Sequence, residues 1–222
     1  MSNTNSKPIE CSLRLMELLE WIEGEVLADI GCDHAYVACN AVILGKVKKS
    51  YACDIAQGPL DRAIETIQEC QLEEKVIPIL MNGMEKLPED VDIVTIAGMG
   101  AMTILEIFDK APLKTGLRLL LSPHKDAQKL REHLKEYSIE ILREKMVYDE
   151  GHYYPVLDCI VKEDVATLSL QETFLGRNVV YNVVYSQFLN YEKNKLSKIL
   201  ANMPEGKGQE LRSKLDIIKN TH

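Results

Sequence analysis

The sequence predicts an α/β fold in which a mostly parallel sheet ends in an antiparallel pair of strands and a small helical segment follows. Five short apolar runs alternate with stretches of helical periodicity up to residue 136, as is typical of parallel strands joined by right-handed crossovers. Two strand-like runs then flank Glu150 and Gly151, which predicts a closing hairpin. From residue 166 apolar residues recur at spacings of three and four, which predicts helices.

The elements follow one another in regular order. An opening helix over residues 12–23 places Leu15, Leu18 and Ile22 on one face and stops before Gly24. The apolar runs predicted as strands are residues 25–30, 50–54, 75–80, 91–98 and 116–123. The stretches predicted as helices between them are residues 35–45, 59–71, 101–111 and 125–136. The hairpin strands are predicted at residues 139–149 and 152–161. This outline is that of a Rossmann-like methyltransferase domain rather than that of a dehydrogenase.

The C-terminal segment has a different spacing of apolar residues. Its apolar stripe predicts a long helix, a break at "MPEGKG" and a second helix folded back on the first. The stripe consists of Val179, Val180, Val183, Val184, Phe188, Leu196, Ile199 and Leu200 before the break and of Leu211, Leu215 and Ile218 after it. We therefore predict two units, residues 1–163 as the α/β domain and residues 164–222 as a helical hairpin domain.

Length and composition narrow the functional classes. The chain has 222 residues, of which 46% are apolar, as expected for a globular protein with a core. No apolar run approaches the roughly 20 residues that span a bilayer, and the start "MSNTNSKPIE" lacks the apolar core of a secretion signal. Six cysteines lie apart without a Cys-x-x-Cys pair, so no metal site is spelled out. We expect a cytoplasmic protein with reduced thiols and no membrane segment.

Charge bears on possible partners. The net charge of −8 argues against broad, nonspecific attraction to nucleic acid. The tail from residue 163 nevertheless has eight Lys and Arg against seven Asp and Glu. Its candidate basic face consists of Lys193, Lys195, Lys198, Lys207, Arg212 and Lys214. The sequence leaves open whether this face binds an RNA backbone or is an ordinary solvated helix surface.

The first strand end carries an unusual set of side chains, "LADIGCDHAY" at residues 27–36. In parallel sheets ligands bind beyond the carboxyl ends of the strands. A dinucleotide site would need Gly-x-Gly-x-x-Gly, but Asp33 lies two residues after Gly31 and would repel a pyrophosphate. S-adenosylmethionine has a net charge of +1, and acidic residues around a glycine turn suit it. The chemistry therefore favours this methyl donor over a nicotinamide cofactor.

The following strand ends add polar and flexible groups. Asp54 lies 25 residues after Asp29, close to the offset of about 20 residues at which an acid accepts hydrogen bonds from ribose hydroxyls. At the third strand end, Asn82 precedes Gly83, and its amide could read an adenine edge. The fourth strand end is "IAGMGAM" (96–102), whose glycines allow a close approach of the backbone to cofactor or substrate.

These segments carry a family resemblance. "DIGCDHAY", "GPLDRA", "NGMEKL", "IAGMG" and the later "YY" resemble the bacterial tRNA (adenine-22)-N1-methyltransferase family, TrmK, over nearly the whole chain. The resemblance implies a class I methyltransferase domain with a small, coiled-coil-like helical C-terminal domain. It also implies S-adenosylmethionine as cofactor and tRNA as partner, with methylation of N1 of adenine 22 in the D-loop. We expect a monomer or a weak dimer.

The resemblance and the strand ends together define the expected site. The expected cofactor-binding residues are Asp29, Gly31, Cys32, Asp33, His34, Asp54, Asn82, Gly83, Ala97 and Gly98. The expected catalytic residues are Asp33, His34, Tyr36, Gly98, Met99 and Gly100. Adenine N1 presents a lone pair at neutral pH, so the main task is to align it with the methyl carbon and sulfur. A polar neighbour such as Asp33 would stabilise the developing cation.

Four departures from the family pattern keep other functions open. Cys32 replaces Ser, Asn82 replaces Asp, Ala101 replaces Gly, and Ser122-Pro123-His124 stands where the family has Gln-Pro-Asn. The last two fall where the target base should enter. The alternatives are a non-catalytic protein that binds cofactor or tRNA, which the last two departures motivate, and a small-molecule methyltransferase, which the acidic body favours.

Each motif also has a plain structural alternative. Asp29 and Asp33 could cap the next helix, and Asn82-Gly83 could be an ordinary turn. His34 could be a packed histidine. The tyrosines that could stack on an extruded base are Tyr36, Tyr153 and Tyr154, the last two alternatively being packed within a strand.

Overall fold

The computed structural model describes residues 7–204 and 206–221. Its centre is a seven-stranded sheet, and the strands are β1 (Val26–Ile30), β2 (Lys49–Asp54), β3 (Val76–Leu80), β4 (Ile93–Ala97), β5 (Arg118–Ser122), β6 (Ile139–Asp149) and β7 (His152–Val161). Their order is β3-β2-β1-β4-β5-β7-β6. The first five are parallel, and β7 lies antiparallel between β5 and β6. The predicted fold class is confirmed.

Helices cover both faces of this sheet. They are α1 (Leu13–Trp21), α2 (Tyr36–Ile43), α3 (Gln57–Glu69), α4 (Ala101–Phe108), α5 (Ala127–His133), α6 (Leu170–Leu175), α7 (Val183–Ala201) and α8 (Gln209–Lys219). The Ser12 side chain accepts a hydrogen bond from the Leu15 N–H and so starts α1. No helix within the described residues is both long enough and apolar enough to cross a membrane.

The core has one layer on each face of the sheet. Successive side chains of a strand point to opposite faces, so Leu119 and Leu121 pack under α4 and α5 while Leu120 packs with α1 and α2. All three leucines are fully buried. Burial on both faces explains why the parallel strands are continuous apolar runs and show no alternation in the sequence.

The strand order determines where a ligand can bind. β1 lies between β2 and β4, and the chain crosses to opposite sides of the sheet from there. Such a switch point leaves a crevice beyond the strand ends. The segments that follow Ile30, Asp54 and Ala97 therefore meet at one edge of the sheet.

The C-terminal segment corrects one detail of the prediction. Val179 and Val180 are not helical: Val179 bridges to Glu144 of β6, and the Val180 N–H donates to the Glu144 carbonyl at 2.7 Å. α7 begins only at Val183, where the Asn182 side chain accepts from the Tyr185 N–H. Val179 packs against the core between β6 and α7, whereas Val180 is exposed, so the apolar spacing did not mark where the helix begins.

α6, α7 and α8 form the helical unit: α7 and α8 are the two predicted helices, Val183 and Ile199 of the predicted stripe are exposed, and α6 is an addition. α7 and α8 fold back on one another and share a separate core with β6 and α6. That core consists of Met146, Leu175, Tyr185, Leu189, Leu196 and Ile218. The short helix α6, which the sequence pattern did not predict, begins with a capping box between Ser169 and Glu172.

Candidate active site

Two clefts meet at Gly31, beyond the ends of β1, β2 and β4. The larger one has a volume of about 440 Å³, and the predicted site residues that line it are Asp29, Gly31, Cys32, Asp33, His34, Tyr36, Ala97 and Gly98. The smaller one has a volume of about 150 Å³, and the predicted residues that line it are Gly31, Asp54, Asn82, Gly83 and Met99. Gly100 lines neither cleft. The structure thus brings together all the predicted residues except Gly100.

The backbone at Gly31 requires glycine. Its φ of +73° is in the left-handed region, and its N–H donates to the Cys53 carbonyl at 2.8 Å. A Cβ at this position would lie 2.2 Å from Cε of Met99. The Met99 side chain therefore rests directly on the glycine where the two clefts meet.

The turn after Gly31 presents Asp33 to solvent. Asp33 and Ala35 both have positive φ, and the Ala35 N–H closes the turn on the Cys32 carbonyl at 2.7 Å. The first residue before α2 is Ala35, which makes no side-chain capping bond. Asp33 therefore does not cap this helix, which removes one structural alternative for this residue.

Asp33 has a cationic partner that sequence reasoning missed. Arg62 of α3 binds Asp33 Oδ1 through Nη2 and, at 3.1 Å, through Nε. His34 Nε2 lies 3.8 Å from Asp33 Oδ2, and the His34 ring stacks on Tyr36 at 5.2 Å between centroids. The Asp33 charge is thus partly compensated before any ligand binds. The signal for Arg62 was within "GPLDRA", one of the motifs that resembled the family.

Asp29 is the buried acid of the larger cleft. Its residue surface is 5% exposed, and the Thr95 hydroxyl donates to its Oδ1 at 2.7 Å. Burial raises the pKa of Asp29 to about 6, against the lowering effect of the Thr95 hydrogen bond. Asp29 is therefore ionised at neutral pH at a desolvation cost that a bound cation would offset.

The smaller cleft is organised by Asp54. Its Oδ1 accepts from the Ala56 N–H at 3.0 Å, and its Oδ2 accepts from the Asp33 N–H at 3.4 Å. Asn82 donates from Nδ2 to Glu85 Oε1 at 2.5 Å, which fixes the orientation of its amide. Gly83 has φ +57° and packs against Ile107. A carboxylate and an amide thus face one narrow space, which suits hydroxyl and ring-nitrogen partners.

His124 supports the loop after β4 through two polar contacts with its backbone. The His124 N–H donates to the Met99 carbonyl and its Nδ1 contacts the Gly98 carbonyl, both at 2.9 Å. Gly98 has φ +76°, and Gly100 is the residue before α4. This loop is therefore both a helix start and a wall of the cleft. The unusual Ser122-Pro123-His124 segment supports the loop and does not line either cleft.

The two neighbouring tyrosines point to opposite faces of the sheet. Tyr154 lies under the guanidinium of Arg14, whose Cζ is 4.6 Å from the ring centroid. Tyr153 contacts Tyr148, Phe188 and Tyr191 on the side of the helical unit. Sequence reasoning treated the pair as equivalent and missed Arg14, which lines the larger cleft.

The donor set fits one type of small molecule. Buried and exposed carboxylates beside a glycine turn suit a positively charged group, and Asp54 suits ribose hydroxyls. Within the described residues no group of three or more His, Cys, Asp or Glu is placed to hold a metal ion. The sheet order and these strand ends are those of the Rossmann-like fold that class I methyltransferases share.

Comparison with known proteins specifies the class further. The chain belongs to the TrmK family, tRNA (adenine(22)-N(1))-methyltransferase, whose family model matches residues 27–221. It is 33% identical over 153 residues to the enzyme of that name from Bacillus subtilis, an alignment that covers 67% of this chain and 64% of the relative. The chain thus matches just under two thirds of that relative's length.

Solved structures resemble the chain over almost its full length. M. capricolum TrmK in complex with S-adenosyl-homocysteine is 29% identical, with a TM-score of 0.83 over 94% of this chain and 96% of the other. A Streptococcus pneumoniae protein described as a putative tRNA (m1A22) methyltransferase, in complex with S-adenosyl-L-methionine, is 26% identical. Its TM-score is 0.79 over 95% of this chain and 98% of the other. Both comparisons include the helical unit.

Proposed function

We propose that this protein transfers a methyl group from S-adenosylmethionine to N1 of adenine 22 in the D-loop of tRNA. The observation that carries the proposal is the pair of clefts at Gly31, with Asp29 in one and Asp54 in the other, in a chain of the TrmK family. The cofactor supplies the methyl group as a sulfonium. Solved relatives bind the same cofactor or its product.

The two clefts divide the cofactor between them. Asp54 accepts hydrogen bonds from the ribose, and Asn82 with Gly83 contacts the adenine ring. Asp29, Gly31 and the turn from Cys32 to His34 hold the amino-acid end, while Ala97 and Gly98 form the opposite wall. This assignment rests on charge and position, because Asp29 is a buried acid without a cationic partner among the described residues.

The reacting site lies on the side of the larger cleft. Asp33, His34 and Tyr36 line it, and Gly98, Met99 and Gly100 form the loop opposite them. Asp33 Oδ1 is occupied by Arg62, so Oδ2 is the oxygen that faces a positively charged product ring. The stacked His34 and Tyr36 rings offer a flat surface for the target base. No strong base is required before attack.

The helical unit is the proposed contact for the tRNA backbone. Lys195 and Lys214 already pair with Glu192 and Glu210, so these two cations are partly neutralised. The other members of the candidate basic face, Lys193, Lys198, Lys207 and Arg212, have no carboxylate within ion-pair distance among the described residues. We assign residues 1–163 to methyl transfer and residues 164–222 to RNA binding, in a cytoplasmic monomer or weak dimer.

Methyl transfer to unmodified tRNA tests the proposal. The purified protein is incubated with labelled S-adenosylmethionine and tRNA, the RNA is digested, and the labelled nucleoside is identified. We expect N1-methyladenosine at position 22, and a transcript with guanosine at that position serves as the control. Tight cofactor binding without transfer would instead favour a non-catalytic binding protein, which the Ala101 and Ser122-Pro123-His124 departures motivate.

A further inference from the structure

Arg14 is the one arginine between residues 7 and 204 that lacks a carboxylate partner. Each of the other arginines in that range pairs with an acid: Arg62, Arg118, Arg131, Arg143 and Arg177. Arg14 Nε is buried and has no hydrogen-bond acceptor among the described residues. A buried donor without a partner destabilises the free protein, so its position indicates a ligand site.

The Arg14 guanidinium is held in place at the larger cleft. It stacks on Tyr154 with 4.6 Å between Cζ and the ring centroid, and the backbone N–H of Arg14 donates to Asp149 Oδ2 at 3.3 Å. Nη2 lies 3.8 Å from the position that a Cβ of Gly98 would take. The Tyr154 ring and the start of α1 thus hold the planar Arg14 cation beside the loop after β4.

The charges in the cleft indicate the chemistry of the ligand. Of the described residues that line the larger cleft, Arg14 is the only Lys or Arg, and the acids there are Asp29 and Asp33. Arg62 is already bound to Asp33. A ligand that carries an oxyanion as well as a positive charge would therefore place the oxyanion at Arg14. A guanidinium binds such a group through two parallel hydrogen bonds.

We propose that Arg14 is the anion-binding residue of this site and that its partner is an oxyanion of a reactant. Two sources share this chemistry, the α-carboxylate of the cofactor and a backbone phosphate of the RNA next to the target base. The inference rests on the proposed function for the identity of the reactants. The unsatisfied donor and the unpaired cation in the cleft do not depend on it.

Variants of Arg14 and a matched control test the assignment. The test variants are Arg14→Gln and Arg14→Lys, and the control is Arg143→Gln. Arg143 also stacks on an aromatic ring of the α1 region, with Cζ 4.4 Å from Trp21, but it lies outside both clefts. Thermal unfolding shows whether each variant is folded. Arg14→Lys keeps the charge and the stem, so it serves as the test variant if the Gln variant fails to fold.

Three measurements distinguish the two sources. Calorimetry gives the Kd of S-adenosyl-homocysteine and that of decarboxylated S-adenosylmethionine, which lacks the carboxylate, and kinetics give the KM for tRNA. If the carboxylate is the partner, Arg14→Gln weakens S-adenosyl-homocysteine about 10- to 100-fold and leaves the decarboxylated compound within twofold. If a phosphate is the partner, both Kd values stay within twofold and the KM for tRNA rises about tenfold or more. In each case Arg14→Lys changes the same quantity, the Kd of S-adenosyl-homocysteine or the KM for tRNA, by a smaller factor.

The outcomes separate this inference from the proposed function. If the Arg14 variants match Arg143→Gln within twofold in all three quantities, Arg14 binds no reactant oxyanion and the inference is overturned. Wild-type protein that binds S-adenosyl-homocysteine but makes no N1-methyladenosine would sink the proposed activity. The comparison of S-adenosyl-homocysteine with the decarboxylated compound would still decide the carboxylate arm in that case.

Discussion

Two buried carboxylates in different parts of the molecule differ in whether a cation is bound to them. Glu144 on β6 is 2% exposed and is bound by Arg131, with Nε at 3.0 Å and Nη2 at 2.7 Å, and by the Arg177 N–H at 2.7 Å. Asp29 on β1 is 5% exposed and has the Thr95 hydroxyl and the Ala38 backbone as partners, with no cation bound to it in the described part of the chain.

The difference separates a structural site at Glu144 from the proposed binding site at Asp29. Arg131 also donates to the Thr173 carbonyl at 3.3 Å, so the Glu144 pair ties β6 to the segment that leads into α7. Arg131 therefore neutralises the Glu144 charge without any ligand. Among the described residues Asp29 is a buried charge without a counterion beside an open cleft, a condition that favours binding of a cationic ligand.

The largest expected effect comes from breaking the Glu144 pair. Arg131→Met leaves a buried carboxylate without its cation, and we expect a loss of about 3–5 kcal/mol in the free energy of unfolding. The double variant Arg131→Met, Glu144→Leu removes both charges and should recover at least half of that loss. Urea unfolding measures both. A single variant within about 1 kcal/mol of wild type would show that the pair is not structural.

Neutralising Asp29 should raise the free energy of unfolding, whereas breaking the Glu144 pair lowers it. Because its pKa is raised from 3.8 to about 6, the stability that Asp29 contributes is present below pH 3.8 and is lost as the pH rises through about 6. We expect Asp29→Asn to stabilise the free protein by about 1–3 kcal/mol at pH 8 and to have little effect at pH 4. Unfolding at the two pH values checks this difference.

Cofactor affinity should follow the charge of Asp29. In wild type, binding weakens as the pH falls through about 6 because Asp29 becomes protonated. Thr95→Val removes the hydrogen bond that lowers this pKa, so its midpoint should move to higher pH. Calorimetry with S-adenosyl-homocysteine gives the profile. The same profile in Asp29→Asn as in wild type would exclude Asp29 from cofactor binding.

Two glycines test the same comparison between the cleft at Asp29 and the pair at Glu144. Gly31 lies in the cleft with φ +73°, and Gly176 lies beside Glu144 with φ +109°, where a Cβ would approach Val179 Cγ2 to 2.7 Å. Alanine at either position should cost about 1–2 kcal/mol of stability through backbone strain. Only Gly31→Ala should also abolish measurable cofactor binding, and unchanged affinity in that variant would move the cofactor away from the turn.

The smallest effect is expected on the surface of the helical unit. Lys198 is without an ion-pair partner among the described residues, whereas Lys214 pairs with Glu210 at 2.8 Å. Lys198→Ala should reduce the salt dependence of tRNA binding by about one unit of slope, and Lys214→Ala should reduce it less. Neither change should alter cofactor affinity. Equal slopes in both variants and wild type would make this face an ordinary solvated surface.

Much of the fold was predictable because short-range patterns decide it. Each of the seven strands lies where an apolar run predicted it, and the hairpin strands match their predicted bounds, residues 139–149 and 152–161. The prediction failed at Val179 and Val180, since apolar spacing does not distinguish a helix from a segment that pairs with an edge strand. It also lacked α6, whose six residues are too few to show a period.

The sequence by itself determined which polar groups would lie at the strand ends, because parallel strands bring their carboxyl ends to one edge. It could not show which distant side chains would complete the site. Arg62 reaches Asp33 across 29 residues, Thr95 reaches Asp29 across 66, and Arg14 and Tyr154 meet across most of the chain. Those contacts were decided by the tertiary structure alone, because helix packing on the sheet sets which side chains meet and no local pattern encodes that distance.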